Sequence, residues 1–335
     1  MLLGDVVGAS DAVATTRARG EKTAILAELL AGASPDEIGT VVAILAGEPR
    51  QGRVGVGWAT VGRLDVEHVD EPLLTVQDLD TLISSIAATQ GAGSQQDRSD
   101  QLASFLERAT RAEADFVRRL FIGELRQGAN AGVVTDAVAK AAGIPATVIR
   151  RGVMLSGDLP TTAEIARSGG RPAVEAIRLE VMRPIQPMLA STAKSVGEAM
   201  DGFAEASVEW KLDGIRVQVH RRGGDVRIWT RNLNEITDRL PNVADIVRGF
   251  PADTAVLDGE VLGIDDDGEP LAFQDTVSTS SDPVPFFFDI LHHDGDDLVD
   301  VELGVRRRRL EAVAGDRSIP NAMTSDPGEG ASVYE

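Results

Sequence analysis

One lysine in this chain lies in a sequence that suggests that its amine takes part in a reaction. Of the 33 basic residues only four are lysines, and the other 29 are arginines. Lys211 follows the run Val208-Glu-Trp210 and begins the sequence Lys211-Leu-Asp-Gly-Ile-Arg216. Arginine stays protonated in proteins and is a poor nucleophile, whereas a lysine amine can be tuned to lose its proton. The sequence therefore indicates a covalent role for Lys211, with a lysine that buries its stem and exposes its amine as the alternative.

Charged and aromatic side chains recur in strand-like runs on either side of Lys211. Glu209 precedes it by two residues, so both side chains would point the same way on a strand. Two further candidates are arginines: Arg216 starts the next run and Arg231 ends a hairpin. The remaining two are the carboxylate of Glu260 and the aromatic ring of Phe288. Nucleotidyl transfer needs a nucleophile, cations near phosphate, a carboxylate for Mg²⁺ and a ring that stacks on a base. These residue types favour that chemistry.

The elements that would position these residues have strand periodicity. Residues 217–220 and 226–230 alternate around Arg222-Gly-Gly-Asp225, which predicts a hairpin. Residues 254–262 and 285–291 are further predicted strands. The second half of the chain is therefore predicted to be α+β, with much antiparallel sheet. The run Arg306-Arg-Arg-Arg309 is interpreted as the solvated start of a helix.

The first half of the chain has helical periodicity. Apolar spacing predicts helices over residues 21–31, from residue 35 onward, and over residues 102–125. The sequence Gly47-Glu-Pro-Arg-Gln-Gly52 recurs as Gly123-Glu-Leu-Arg-Gln-Gly128. We interpret the repeat as a duplication, although such helix-stop sequences also recur by chance. Two such turns could hold two phosphates without reading bases, through their backbone and through Arg50 and Arg126.

Composition limits the classes of protein that the chain can represent. Its 335 residues suggest two domains, or three small ones. The net charge of -20 is unlike the basic footprint of nucleic-acid-binding domains, but net charge describes solubility and steering rather than one local surface. The absence of cysteine excludes disulfides and thiolate metal sites. With no run of about 18 apolar residues to span a membrane, we expect a cytoplasmic protein.

The sequence around Lys211 resembles the covalent nucleotidyltransferases, and within them the ATP-dependent DNA ligases of the bacterial type with an N-terminal DNA-binding domain. Lys211-Leu-Asp-Gly-Ile-Arg216 resembles their nucleophile motif, which implies that Lys211 forms a phosphoramidate with AMP. The same resemblance implies that Glu209 contacts the adenine amino group and that Arg216 contacts the nucleotide near the ribose.

A lysine with the usual pKa of about 10.4 is less than about 0.1% neutral at pH 7, so we expect burial, Mg²⁺ and Arg216 to lower the pKa of Lys211.

Motifs elsewhere in the chain extend this resemblance. Arg231 matches an arginine that approaches the phosphate of the nicked strand or of the nucleotide. Glu260 matches a carboxylate that serves the metal and the ribose, and Phe288 matches the aromatic residue that stacks on adenine. Arg183-Pro-Ile-Gln-Pro-Met-Leu-Ala190 resembles the start of the family's adenylation domain, and the repeated turns resemble its DNA-binding domain.

The resemblance implies a multidomain fold. We expect an all-α DNA-binding domain over residues 1–183, a linker and the start of the adenylation domain over residues 184–205, and a partial α+β nucleotidyltransferase domain over residues 206–335. The family continues with a glutamate-glycine motif, a lysine pair and an oligonucleotide-binding (OB) fold. Glu329-Gly330 is followed by Tyr334 where a lysine would stand, so we expect the sequence to be truncated before these parts.

The implied activity is the sealing of 5′-phosphate/3′-hydroxyl nicks in duplex DNA through a lysyl-AMP intermediate, with ATP and Mg²⁺, in DNA repair, recombination or replication. We expect a monomer that acts on nicked double-stranded DNA and, without the missing parts, seals it poorly. An RNA ligase or a capping-type nucleotidyltransferase shares the lysine motif and is one alternative. A non-catalytic DNA-binding fragment is another.

Overall fold

A computed structural model of the chain describes residues 1–52, 54–125, 127–263 and 283–334. The chain divides into two compact units, Met1–Ile177 and Arg178–Glu335. No helix in these described ranges is long and apolar enough to cross a membrane.

All secondary-structure elements described in the first unit are helices, as the periodicity predicts. They are α1 (Leu3–Thr15), α2 (Arg19–Ala31), α3 (Ile38–Ala46), α4 (Trp58–Val61), α5 (Val76–Ala88), α6 (Ser94–Leu106), α7 (Arg111–Phe121), α8 (Ala131–Ala142), α9 (Ala146–Ser156) and α10 (Leu159–Glu175). Their apolar faces form one core, in which Leu30, Ile44 and Phe116 are almost fully buried.

The helical structure predicted over residues 102–125 is divided between α6 and α7. The cause is a capping box at Thr110, whose backbone N–H donates to Glu113 Oε2 at 2.8 Å while its hydroxyl accepts from the Glu113 backbone N–H at 3.3 Å. Such a box starts a new helix because it satisfies the free N–H groups of the first turn. The predicted break at residues 168–172 lies within α10, where Gly170 has a φ of +64°.

The two copies of the repeated sequence occupy equivalent positions in the first unit. Residues 47–52 follow α3 and residues 123–128 follow α7, and the first and last glycines of both copies have φ between +66° and +76°. The N-terminal ends of α1 and α5 pair through an antiparallel bridge between Leu2 and Thr75. This arrangement supports a duplication of the sequence.

If the helical unit is divided into a half with the first copy and a half with the second, the glutamine of each copy binds a helix of the other half. Gln51 Nε2 donates to Asp80 Oδ1 at 2.9 Å and to Ser84 Oγ at 2.8 Å, both on α5. Gln127 Oε1 accepts from Ser10 Oγ, on α1, at 2.6 Å. The glutamine shared by the two copies thus has a structural role, because it fixes each turn to a helix of the other half of the unit.

The second unit contains two antiparallel sheets within its described residues. One pairs β1 with β7, and the other has the strand order β3-β2-β4-β5-β6. The strands are β1 (Ala206–Glu209), β2 (Ile215–Arg222), β3 (Asp225–Thr230), β4 (Thr254–Leu262), β5 (Val284–His293), β6 (Asp296–Asp297) and β7 (Asn321–Thr324). The helices are α11 (Val196–Met200), α12 (Pro241–Arg248), α13 (Leu303–Ala314) and α14 (Pro327–Tyr334). The predicted hairpin is confirmed as the pair β2–β3.

The two faces of the five-stranded sheet differ in polarity. On β2, Val217 and Val219 are fully buried in an apolar core with residues of α12 and α13. The alternate residues Gln218 and His220 are also buried but polar. We call the side of the sheet that carries Arg216, Gln218 and His220 the polar face.

An extended segment, residues 182–188, lies along the polar face and is bound by its side chains. Gln218 accepts from the backbone N–H of Ile185 at 2.8 Å and donates to the carbonyl of Ile185 at 3.1 Å. His220 Nδ1 accepts from the backbone N–H of Met182 at 2.9 Å. The β2 side chains thus satisfy backbone groups of Met182 and Ile185, although the segment is not a strand of the sheet.

His220 is held in its neutral form by its environment. Its side chain is fully buried, and its second ring nitrogen, Nε2, lies 2.9 Å from Gln218 Oε1. Burial, with a smaller contribution from the nearby His292, lowers the pKa of His220 to about 3. Since Nδ1 accepts from Met182, the proton of the neutral ring is on Nε2 and is donated to Gln218.

Candidate functional site

Lys211 lies in the loop between β1 and β2 rather than on a strand. Because β1 ends at Glu209, the prediction that Glu209 and Lys211 share one strand face is wrong. The Lys211 side chain is 83% exposed, and its Nζ donates to Asp213 Oδ1 at 2.8 Å. The loop therefore presents the amine to solvent beside a carboxylate.

The expected lowering of the Lys211 pKa is also wrong for this structure. The hydrogen bond and the charge of Asp213 raise the pKa of Lys211, and the charge of Glu260 raises it further. Partial desolvation lowers the pKa of Lys211, but by less than Asp213 raises it. In this form of the protein the amine is a protonated hydrogen-bond donor, so a reaction that needs the neutral amine must first separate it from Asp213.

The Lys211 loop is fixed to β4 through Gly214 and Glu260. Glu260 Oε1 accepts from the backbone N–H of Gly214 at 3.0 Å. A Cβ atom at position 214 would overlap the carbonyl oxygen of Val261, so only glycine allows this close approach. Burial raises the pKa of Glu260, while the Gly214 N–H and the charges of Arg216 and Lys211 oppose the rise. The carboxylate thus lies within electrostatic range of the candidate nucleophile.

Arg216 is held by a bidentate ion pair on the polar face. Its Nε and Nη2 atoms donate to the two oxygens of Asp258, at 3.1 and 2.8 Å, and its Nη1 donates to the carbonyl of Met188 at 3.0 Å. Its guanidinium carbon is 5.4 Å from the ring centroid of Phe288, a cation–π distance. Burial raises the pKa of Asp258, and pairing with Arg216 partly offsets the rise. Arg216 therefore joins the carboxylate, the ring and the 182–188 segment.

Phe288 projects from a β-bulge. Asp258 pairs with Asp289 and the next residue, Gly259, pairs with Phe287, so Phe288 is an extra residue in β5. A bulge bends its strand and changes the direction of a side chain, and bulges are frequent beside active sites. The half-buried ring of Phe288 reaches Arg216 as a result.

Two arginines near this site were not predicted from the sequence. Arg306 binds both oxygens of Asp289 through Nε and Nη2, at 2.8 and 2.9 Å. The Arg307 side chain is only 2% exposed, and its Nη1 lies 3.2 Å from Glu209 Oε1. The prediction of a solvated run is wrong for both. A signal was available: position 307 shares a helical stripe with Leu310 and Ala314, which are buried.

Arg231 is the first residue after β3 and is exposed. The register Val217–Thr230 and the register Arg216–Glu260 place it at the same end of the sheet as those two site residues. Its side chain makes no hydrogen bond or ion pair with the described residues. It is therefore available to bind an anionic ligand.

The two arginines predicted to bind DNA have different outcomes. Arg50 Nη2 donates to Asp80 Oδ2 at 2.9 Å, and its Nη1 lies 3.6 Å from Glu164 Oε1. Its guanidinium is thus engaged within the helical unit, and its contact with DNA stays a prediction. Arg126 lies outside the described residues.

The side chains at this site could hold a metal ion only together with oxygen atoms from a substrate. Among the described residues, no three His, Asp or Glu side chains gather as a metal cage would require. Mg²⁺ is usually bound through one or two carboxylates together with substrate phosphates and water. Glu260, one oxygen of which accepts from the Gly214 N–H, would be one such carboxylate.

Comparisons with known proteins define the family. Residues 187–327 match the model of the ATP dependent DNA ligase domain, and residues 62–139 match that of the DNA ligase N terminus. Proteins named probable DNA ligase are 47% identical in Saccharopolyspora erythraea, over the whole chain and 67% of the relative, and 45% identical in Rhodococcus jostii, over the whole chain and 68% of the relative. One from Pseudarthrobacter chlorophenolicus is 47% identical over 98% of the chain and 66% of the relative.

The chain belongs to the ATP-dependent DNA ligase family, and the resemblance found around Lys211 is confirmed. It spans about two thirds of the length of the curated relatives it matches. The solved structure Pmar-Lig_Pre covers 98% of this chain, and this chain covers 69% of it, with a TM-score of 0.60 and 16% identity. That likeness shows the fold: a helical region followed by a domain with antiparallel sheets.

Proposed function

We propose that this chain forms a covalent lysyl-AMP intermediate at Lys211, as the first step in the ATP-dependent sealing of 5′-phosphate/3′-hydroxyl nicks in duplex DNA. One observation carries the proposal. The loop of Lys211 is fixed by Gly214 to Glu260, at the end of the sheet that also carries Arg216. The Glu260 side chain holds the loop of the candidate nucleophile, and the backbone pairing of Glu260 with Arg216 places a guanidinium beside it.

The proposed reaction consists of three nucleophilic substitutions at phosphorus. The neutral amine of Lys211 attacks the α-phosphorus of ATP, forming an N–P bond as the bond to pyrophosphate breaks, and its proton goes to solvent. The 5′-phosphate of the nick then takes the AMP group and frees Lys211. Finally the 3′-hydroxyl attacks the activated phosphate, joins the strand and releases AMP.

The site residues have distinct proposed roles around the nucleotide. Phe288 stacks on adenine, Glu209 accepts a hydrogen bond from the adenine amino group, and Arg216 binds near the ribose. Arg231, which has no partner among the described residues, binds phosphate. Glu260 would hold Mg²⁺, and the ion supplies charge neutralisation at the phosphates when it is bound.

Labelled ATP tests the covalent step. ATP labelled at the α-phosphate should leave its label on the denatured wild-type protein and none on Lys211→Arg, which keeps the charge but lacks a nucleophilic amine. Excess pyrophosphate should remove the label by reversal. Label retained on Lys211→Arg would overturn the assignment, and stronger labelling by GTP would favour a capping-type enzyme.

The helical unit is proposed to bind the nicked duplex through phosphates, with Arg50 and Arg126 in its two repeated turns. Such binding should weaken steeply with salt and show little sequence preference. In a gel-shift assay at low salt, Arg50→Gln should weaken binding more than Arg17→Gln, a matched loss of an exposed charge outside both turns. Equal effects of the two changes would remove Arg50 from the DNA-binding surface.

A further inference from the structure

Arg307 is a buried charge that the proposed chemistry leaves without a role. It lies on α13, with a side chain that is only 2% exposed, beside exposed Arg308 on the same helix. A charge that is removed from water is costly unless every donor finds a partner, so its partners indicate what the charge is for.

Arg307 Nε makes no hydrogen bond with the described residues and lies 3.7 Å from Glu311 Oε1 on the same helix, so the other two nitrogens carry the contacts with other elements. Its Nη1 lies 3.2 Å from Glu209 Oε1 at the end of β1, and the same atom donates to the carbonyl of Phe288 at 3.1 Å. Its Nη2 donates to the carbonyl of Ile319, which precedes β7. One guanidinium therefore joins β1, the bulge of β5 and the segment before β7.

The bulge explains why the Phe288 carbonyl needs this donor. As the extra residue of β5, Phe288 has no partner in the register with β4. A backbone carbonyl without a ladder partner must be satisfied by water or by another donor. Arg307 does so and thereby fixes the backbone that sets the direction of the Phe288 ring.

We propose that Arg307 is a positioning residue that makes the site select adenine over guanine, by aiming the Glu209 carboxylate at the edge of a base stacked on Phe288. This inference rests on the proposed function of Glu209 and Phe288. A carboxylate only accepts hydrogen bonds. The adenine amino group donates, whereas guanine has an accepting oxygen at the same ring position. A fixed carboxylate therefore attracts adenine and repels guanine, while a freely rotating one discriminates less.

An arginine suits this position better than a lysine does. The planar guanidinium offers donors in a fixed fork, so it can reach Glu209, Phe288 and Ile319 together. An ammonium group at the end of a flexible stem retains the charge but lacks the fixed geometry.

Selectivity between ATP and GTP tests the inference. Formation of lysyl-AMP and lysyl-GMP would be measured for wild type, Arg307→Met, Arg307→Lys and the control Arg308→Met, with KM and kcat separated. Arg307→Met should raise KM for ATP about tenfold or more and lower the ATP-to-GTP ratio of kcat/KM by a similar factor, since a charge-assisted contact to the base is misplaced. Arg307→Lys should fall between, and Arg308→Met should match wild type.

Glu209→Gln distinguishes positioning from general damage. This variant should itself lower the ATP-to-GTP ratio, and adding Arg307→Met to it should lower the ratio no further, because the carboxylate is already gone. An unchanged ratio in Glu209→Gln, or an equal further fall in the double variant, would overturn the inference. If thermal unfolding shows that Arg307→Met does not fold, Arg307→Lys and Glu209→Gln decide the question. Absence of lysyl-AMP in wild type would instead overturn the proposed function, and this inference with it.

Discussion

Two adjacent residues of β4, Leu257 and Asp258, belong to opposite faces of one sheet and have opposite roles. Leu257 is fully buried in the apolar core beneath α12 and α13. Asp258 is almost as buried but binds Arg216 through both carboxylate oxygens. The same strand therefore contributes stability through one face and a charged binding site through the other.

The comparison shows how a sheet can carry buried charge. The apolar face needs only shape and area, which side chains of several elements supply. The polar face needs a partner for each group, and the 182–188 segment and Arg216 supply them. We therefore expect changes on the apolar face to affect folding, and changes on the polar face to affect nucleotide binding.

The largest expected loss of stability follows from a cavity on the apolar face. Leu257→Ala should lower the free energy of unfolding of the second unit by about 3 kcal/mol, because buried Leu→Ala changes remove apolar contacts and leave a void. The affinity of the folded protein for ATP should stay within about twofold of wild type, as one large packing change on the opposite face leaves the site groups in place. Urea unfolding and equilibrium ATP binding measure the two effects.

A change at the neighbouring residue, Asp258, should affect ATP binding more and stability less than Leu257→Ala does. Asp258→Asn should cost about 1–2 kcal/mol of stability, since a hydrogen-bonded charge pair is lost but burial already raises the pKa of Asp258 and disfavours its charge. ATP binding should weaken about tenfold, because Arg216 loses its bidentate anchor. If Asp258→Asn destabilises the protein more than Leu257→Ala while binding ATP normally, the division of labour between the faces is wrong.

A smaller effect should appear in the pH dependence of stability. The pKa of His220 is about 3 in the folded protein and about 6.5 in the unfolded chain, so the unfolded state binds more protons between these values. The contribution of His220 is present above about pH 6.5 and is lost by about 1.4 kcal/mol per unit as pH falls towards 3.

His220→Gln removes this titration but retains an acceptor for Met182 and a donor for Gln218. Urea unfolding at about pH 7.5 and about pH 5.5 should show a smaller loss of stability for the variant than for wild type, by about 1 kcal/mol. Equal losses in both proteins would show that His220 does not remain neutral in the folded state.

The sequence predicted the main elements and the grouping of the site better than its finer geometry. The hairpin and the strand over residues 254–262 follow directly from alternation and turn residues. Glu260 and Arg216 could be placed together once they were recognised as strand residues, because antiparallel pairing then brings them into register.

Three features of the site could not be predicted from the alternation of polar and apolar residues. The end of β1 at Glu209 depends on pairing with β7, which is remote in the sequence. The exposure of Lys211 and its pairing with Asp213 depend on the path of a loop. The partners of Arg307, a carboxylate from β1 and a bulge in β5, are remote in the sequence, although its helical stripe with Leu310 and Ala314 indicates that it is buried.

The most direct measurement of the central claim is the mass of the protein after incubation with ATP and Mg²⁺. Intact-mass analysis of the denatured protein, followed by peptide mapping, identifies both the group that was added and the residue that bears it. The account predicts one adenylyl group, on Lys211. Unmodified protein, or an adenylyl group on any other residue, would contradict it.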